Sequence, residues 1–261
     1  MNATLPASYK WWVVLMLWCV CFFNYADRQA ISSVLPLLSQ NFGFDDLQLG
    51  LIGSAFAWIY AGAAPFAGLT ADRIARKNII IAACVIWSFF TLATAWCSNF
   101  SSFVSIRALT GLAETFYFPA AMALLSDFHA PATRSRAMSL HQSAVYAGTI
   151  LGSWLAAVLA EKSGWNFPFL LFGPIGILLA VFISRFLREP KRGAAEPAVV
   201  ETPLSIPETL KVILRSRTAV LLMAAFLCAN FVAFIFLTWT PAFLFDKFHY
   251  SLGAAGLTGA I

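Results

Sequence analysis

Seven apolar stretches follow one another along the chain with only short polar breaks between most of them: about 11–39, 46–70, 79–97, 102–126, 137–160, 167–186 and 218–244. As a helix, a run of about 18 or more apolar residues reaches across the roughly 30 Å hydrocarbon core of a bilayer. Only helices and closed barrels satisfy every backbone polar group in that medium. No two-residue alternation of apolar and polar side chains points to a barrel. Charged residues make up 11% of the chain, against roughly 25% in a soluble domain. The chain reads as an all-α polytopic membrane protein.

The placement of charge sets an expected orientation. With the N-terminus in the cytoplasm, thirteen of the 17 Lys and Arg residues fall on the inside, only Lys162 and Lys247 lie outside, and Arg28 and Arg107 are left within the membrane. That asymmetry obeys the positive-inside rule, so the basic excess is topology and no nucleic-acid partner is expected. One basic residue, Lys10, precedes the first stretch and no small-residue cleavage site follows it, so this helix is expected to be retained. The location expected is a plasma membrane, the inner membrane in a bacterium.

Three regions are expected: a six-helix half over 1–186, a polar cytoplasmic loop over 187–217, and the opening of a second half over 218–261. Within the loop, Ser205-Ile206-Pro207-Glu208 reads as a capping box ahead of a short amphipathic helix at the membrane surface. Phe42, Gly50, Leu51 and Gly53 recur at an offset of 206 as Phe248, Gly256, Leu257 and Gly259. A charged loop after six helices and a repeat at that offset fit transporters built from parallel six-helix repeats, so a complete chain of roughly 400 residues is expected.

Charge inside the first stretch is costly. Trp11 to Tyr25 carries one polar side chain, Asn24, and then Tyr25-Ala26-Asp27-Arg28 brings an acid and a base together. Each such charge costs about 3 kcal/mol on insertion scales, so it normally faces a bundle interior or a watery cavity. Counted from the expected outer helix ends near 39 and 102, Asp27 and Glu114 both lie about 18 Å deep, with Tyr60 at a similar depth. Arg107 and Glu114 are nearly two turns apart on one helix face. One reading is a pair of structural ion pairs locking the first and fourth helices. The other is a polar site at the midplane, where a carboxylate takes up and releases protons and an arginine, which keeps its charge, holds a carboxylate or phosphate.

The remaining polar residues say less. Cys19, Cys21, Cys84, Cys97 and Cys228 have no metal-ligand spacing and read as small apolar packing. His129 and His249 fall in loops, and His141 near the inner end of the fifth helix. No nucleophile–base pairing, metal cluster or phosphate loop is present, so neither an enzyme nor a cofactor is expected.

Gly68-Leu69-Thr70-Ala71-Asp72-Arg73-Ile74-Ala75-Arg76-Lys77 resembles the signature loop of the major facilitator superfamily, with Ala75 where the family usually has glycine. The resemblance implies the major facilitator fold. It also implies a cytoplasmic gate built from Gly68, Asp72, Arg73 and Arg76, with Arg136 as a second basic partner. Ala144, Gly148 and Gly152 form a small-residue stripe, read either as close packing or as the family's gate hinge.

Within the superfamily, three pieces are similar to the anion:cation symporters. They are Asn24 to Arg28 with Pro36 downstream, Ser54 to Tyr60, and Arg107 to Glu114 with Phe118-Pro119-Ala120. That similarity implies Asp27 and Glu114 as proton-coupling carboxylates and Arg28 as the ligand of a small organic anion, with Tyr25, Tyr60 and Arg107 lining the site. A sugar acid or other carboxylate is then the expected substrate, carried with protons by a chain that is monomeric when complete. Asn166 stands where that family often has arginine. The Asp-Arg pair and Glu114 also resemble spinster-like lysolipid transporters, and the residues do not separate the two. A receptor or scaffold on the same fold is the alternative of another class, and it has no need of charges at the midplane.

Overall fold

The computed structural model describes residues 8–193, 195 and 206–259. Among them the regular structure is helical throughout: α1 (Tyr9–Phe42), α2 (Asp46–Arg73), α3 (Arg76–Thr94), α4 (Phe100–Thr115), α5 (Tyr117–Phe128), α6 (Pro131–Ser163), α7 (Phe167–Phe186), α8 (Ile206–Arg215), α9 (Arg217–Phe248) and α10 (Leu252–Thr258). With α4 and α5 taken as one span, seven are long and apolar enough to cross a membrane.

Local chemistry sets the helix ends. Gly43 closes α1 in the left-handed conformation (φ 69°), its N–H donating to Ser39 O. Asp45 then opens α2 through a reciprocal capping box with Gln48, and Asn99 opens α4 through one with Ser102. Two boundaries differ from the sequence expectation. The polar segment 127–136 is largely helical, because Pro131 sits in the first turn of α6, where its missing N–H costs nothing. The expected helix over 102–126 is broken at Phe116. Pro119 has no N–H to give to Thr115 four residues back, which interrupts the ladder there. The expected cap at Ser205 lies outside the described residues, while the helix it would open, α8, is present.

Packing follows the small residues. Side chains at Gly148 and Gly152 of α6 would overlap the α1 backbone at Phe22 and Ala26, so those glycines let the two helices touch. A Cβ at Gly111 would come within 2.6 Å of Phe56 O, which sets α4 against α2 in the same way. Two apolar clusters result. One joins Leu17 and Val20 of α1 to Trp87, Tyr117 and Leu124. The other joins Val34 and Leu38 to Phe103, Ala157 and Phe172. The polar side chains of residues 24–28 fall between them. The first half of α9 leaves Leu222, Phe226 and Phe231 exposed, and its second half buries Thr238, Pro241 and Ala242.

The offset of 206 reappears in backbone geometry. His249 closes α9 in the left-handed conformation (φ 55°), as Gly43 closes α1 (φ 69°). Ser251 caps α10 where Asp45 caps α2, and α10 starts at Leu252 where α2 starts at Asp46. A left-handed conformation costs a side chain about 1–2 kcal/mol that glycine does not incur. His249→Gly is therefore expected to raise stability by about 1 kcal/mol and Gly43→Ala to lower it by a similar amount, read from thermal unfolding of the purified protein. A destabilised H249G would mean that the imidazole makes a contact outweighing the backbone term.

Candidate functional site

Adjacent residues on a helix point about 100° apart, so Asp27 and Arg28 leave α1 in different directions. Arg28 turns toward α2 and α4. Its Nε and Nη2 donate to Glu114 Oε2 at 3.2 and 2.9 Å. Its guanidinium lies over the rings of Tyr25, Phe56 and Tyr60, with centroids 4.6, 4.7 and 5.0 Å away. Phe56 and Tyr60 stack one turn apart on α2 and form one wall. Glu114 is sealed in the interior, its side chain 0% exposed against 22% for Arg28. The arginine is therefore the part of the pair that faces open space.

Asp27 faces α3. Its Oδ2 accepts from Thr91 Oγ1 at 3.3 Å, and its Oδ1 has no hydrogen-bond partner. Arg107 is buried beside the site, with its guanidinium 4.7 Å from the centroid of the Phe56 ring. Among the described residues it forms no ion pair, and its Nε lacks a partner. Arg28, Glu114, Tyr25 and Tyr60 thus form one contact cluster, Arg107 joins it through Phe56, and Asp27 lies outside that contact set, toward α3. The pairs anticipated as a structural lock reduce to one, Arg28 with Glu114. Glu114 Oε1 is left without a hydrogen bond, next to Asn24.

Sequence reasoning did not single out Phe56 and Thr91 as site residues. The signal for Phe56 was its place one turn before Tyr60 on the same helix. Thr91 carried none, since a threonine in an apolar helix ordinarily bonds back to its own backbone.

The loop residues meet at the bundle end that carries the start of α1. Arg76 pairs with Asp127 and donates to Ala123 O at 3.1 Å, tying α3 to α5. Asp127 Oδ1 also accepts from Gly193 N at 2.9 Å. Ala75 offers α3 no side-chain cap, and the Glu189 carboxylate takes that role, accepting from the N–H groups of Arg76 and Lys77 at 2.9 and 2.7 Å. Arg192 donates to the carbonyls of Asp72 and Ile74. The side chains of Asp72 and Arg73 are exposed, and Gly68 has open space where a Cβ would stand. Arg136 lies 5.3 Å over the Trp11 ring.

Beside Arg136, His129 is fully buried. Its Nε2 lies 3.2 Å from Lys10 O, its Nδ1 3.2 Å from Thr133 Oγ1, and its ring packs edge-on against Trp11. A neutral ring fits: Nε2–H donates to the carbonyl and Nδ1 accepts from the hydroxyl. Burial pushes the imidazole pKa below its ordinary value, and the Lys10 charge adds to this against the opposing hydrogen bond to Lys10 O. Arg134, whose Nε donates to His129 O at 3.2 Å, is a further cation close by.

A family model described as "Major Facilitator Superfamily" matches residues 17–261. Two curated proteins described as "Probable galactarate/D-glucarate transporter GudP" align with 97% of the chain. The Bacillus subtilis (strain 168) protein is 30% identical over 279 residues and the Escherichia coli (strain K12) protein 27% over 279. The chain spans 61% and 62% of their lengths, about three fifths of each. A bacterial homolog of the human lysosomal transporter Spinster, solved inward-facing and unoccupied, superposes with a TM-score of 0.85 at 25% identity, covering 99% of this chain and 60% of that one.

The His129 contacts set a pH dependence. With the folded pKa lowered, the unfolded chain takes the proton first, so stability falls as pH drops through the ordinary histidine value of about 6.5. The thermal midpoint of the purified protein is expected to drop between about pH 7 and pH 5, and His129→Gln to flatten part of that slope. An unchanged slope in H129Q would show that this histidine does not carry it.

Proposed function

The chain belongs to the major facilitator superfamily, and from that premise we propose that the complete protein is a secondary transporter carrying a small organic anion together with a proton by alternating access. The observation that supports this most is the Arg28–Glu114 pair: a permanent cation, open on one side, held by a carboxylate that is sealed from solvent. A proton on Glu114 removes the charge that binds Arg28. The guanidinium is then free to take a substrate carboxylate in bidentate fashion, with Tyr25 and Tyr60 as hydroxyl donors and Arg107 as a second cation behind Phe56. Loss of the proton re-forms the ion pair and expels the anion.

The substrate class favoured is a sugar acid. The galactarate/D-glucarate transporters to which the chain is similar are named for such substrates, and a polyhydroxylated acid suits a site that pairs guanidinium groups with phenols. Asp27 is the second proton carrier in this reading. D-glucarate carries two carboxylates, so one proton with it moves a net charge of −1 against an inside-negative potential, at a cost of about 2.3 kcal/mol per 100 mV, and a second proton, on Asp27, makes the cycle electroneutral. Gly68, Asp72, Arg73, Arg76 and Arg136 belong to the gate on the cytoplasmic side of a plasma membrane, where the N-terminus also lies. The resemblance of the Asp27-Arg28 pair and Glu114 to spinster-like lysolipid transporters supports a second reading, an amphiphile as substrate.

The test is D-glucarate uptake into proteoliposomes containing the full-length protein. Glu114→Gln is expected to abolish accumulation driven by a pH gradient and to spare exchange of labelled for unlabelled substrate. Accumulation persisting in E114Q would overturn the coupling role of Glu114. Wild-type uptake of lysolipid and of no organic acid would transfer the protein to the second reading.

A further inference from the structure

A groove of about 580 Å³ runs between α1 and α7, away from the polar site. Its walls are two facing helical stripes. Trp12, Met16 and Cys19 recur at three- and four-residue steps along α1, and Leu179, Phe182 and Phe186 do so along α7. The floor is apolar, and polarity is confined to one end, where Arg185 and Arg188 line the mouth beside Tyr9. The Arg188 guanidinium lies 6.0 Å over the Tyr9 ring. The Tyr9 hydroxyl ties this end together, donating to Phe186 O at 2.7 Å and accepting from Arg188 N at 2.9 Å.

Two facts narrow what fits. From Tyr9 to Cys19 the groove extends about 15 Å along α1, half of a hydrocarbon core of about 30 Å. Its length is that of one leaflet. Among the described residues neither arginine meets a carboxylate at ion-pair distance. Glu189, the adjacent acid in sequence, is committed to the first N–H groups of α3. Two unneutralised guanidinium groups at the head of an apolar, leaflet-length slot complement a phosphate attached to an acyl chain.

We propose that this groove is a binding site for an anionic glycerophospholipid, with one acyl chain between the α1 and α7 stripes and the headgroup phosphate held by Arg185 and Arg188. A second groove of about 570 Å³ serves as an internal control. It lies where α2 and α3 rest on α4, Thr70 and Asn78 are the polar residues of its lining, and no charged side chain lines it. It accommodates acyl chains without distinguishing headgroups.

The experiment is native mass spectrometry of the full-length protein in detergent, titrated with equimolar phosphatidylglycerol and phosphatidylcholine of matched chains. At about fivefold per arginine, wild type is expected to retain phosphatidylglycerol at least tenfold more strongly. Arg185→Gln with Arg188→Gln should abolish that preference, and Arg185→Lys with Arg188→Lys should retain most of it. Leu179→Trp, which fills the slot and leaves both arginines in place, should also lower phosphatidylglycerol retention. Equal retention of the two lipids by wild type overturns the proposal. So does a preference that survives the double glutamine variant or the filled groove.

Discussion

An arginine placed in an apolar bundle cannot escape by losing its proton, so the surroundings must answer its charge. At Arg28 they do so on two sides, with the Glu114 carboxylate on one and three aromatic rings on the other. Removing one partner of such a buried pair costs about 3–5 kcal/mol, while the pair itself adds little net stability. Its presence is therefore better explained by use than by stability. A guanidinium has five N–H donors, and Glu114 engages Nε and Nη2 through a single oxygen. Donors remain unspent on the side of Arg28 that is open. The arrangement holds the cation firmly and leaves it the capacity to bind an anion.

The same turn of α1 organises the packing. Ala26 lies against Gly152 of α6. Asp27 reaches Thr91 of α3, and Arg28 reaches Glu114 of α4 and the rings of α2. Gln29 Nε2 donates to Leu237 O of α9 at 2.8 Å. Four consecutive residues thus touch five helices, because successive side chains fan out by about 100°. A change of charge at this turn is felt in several directions at once. Asp27 and Arg28 sense different neighbours despite their adjacency, which separates a guanidinium paired with Glu114 from a carboxylate facing α3.

How much of this was legible in the sequence depends on how local each feature is. The spans were readable because length and apolarity alone decide them. Arg28, Glu114 and Tyr60 could be brought together by counting depth from helix ends. The split between Asp27 and Arg28 follows from helical geometry, but choosing which of them meets Glu114 needed the packing of α1 against α6. Partners drawn from distant segments were not legible. Asp127 with Arg76 and Glu189 at the start of α3 join residues whose separation in sequence carries no period. The break at Phe116 was missed because Pro119 sits in an otherwise uniform apolar run.

That break bears on how the two polar regions communicate. Glu114 ends the α4 piece at the buried cation, and Asp127 ends the α5 piece at the loop that Arg76 and Gly193 tie down. A continuous helix would transmit any rotation from one carboxylate to the other, about 20 Å away at 1.5 Å per residue. The break at Phe116 interrupts the helical ladder between them. Thr115 shows what holds the joint: its hydroxyl is within hydrogen-bond reach of Gly111 O at 2.7 Å in its own helix and of Tyr60 O at 3.3 Å in α2. Tyr60 also forms part of the wall around Arg28. The joint is therefore fastened to the wall around Arg28, while the Arg76–Asp127 pair ties the other end of the α5 piece to α3.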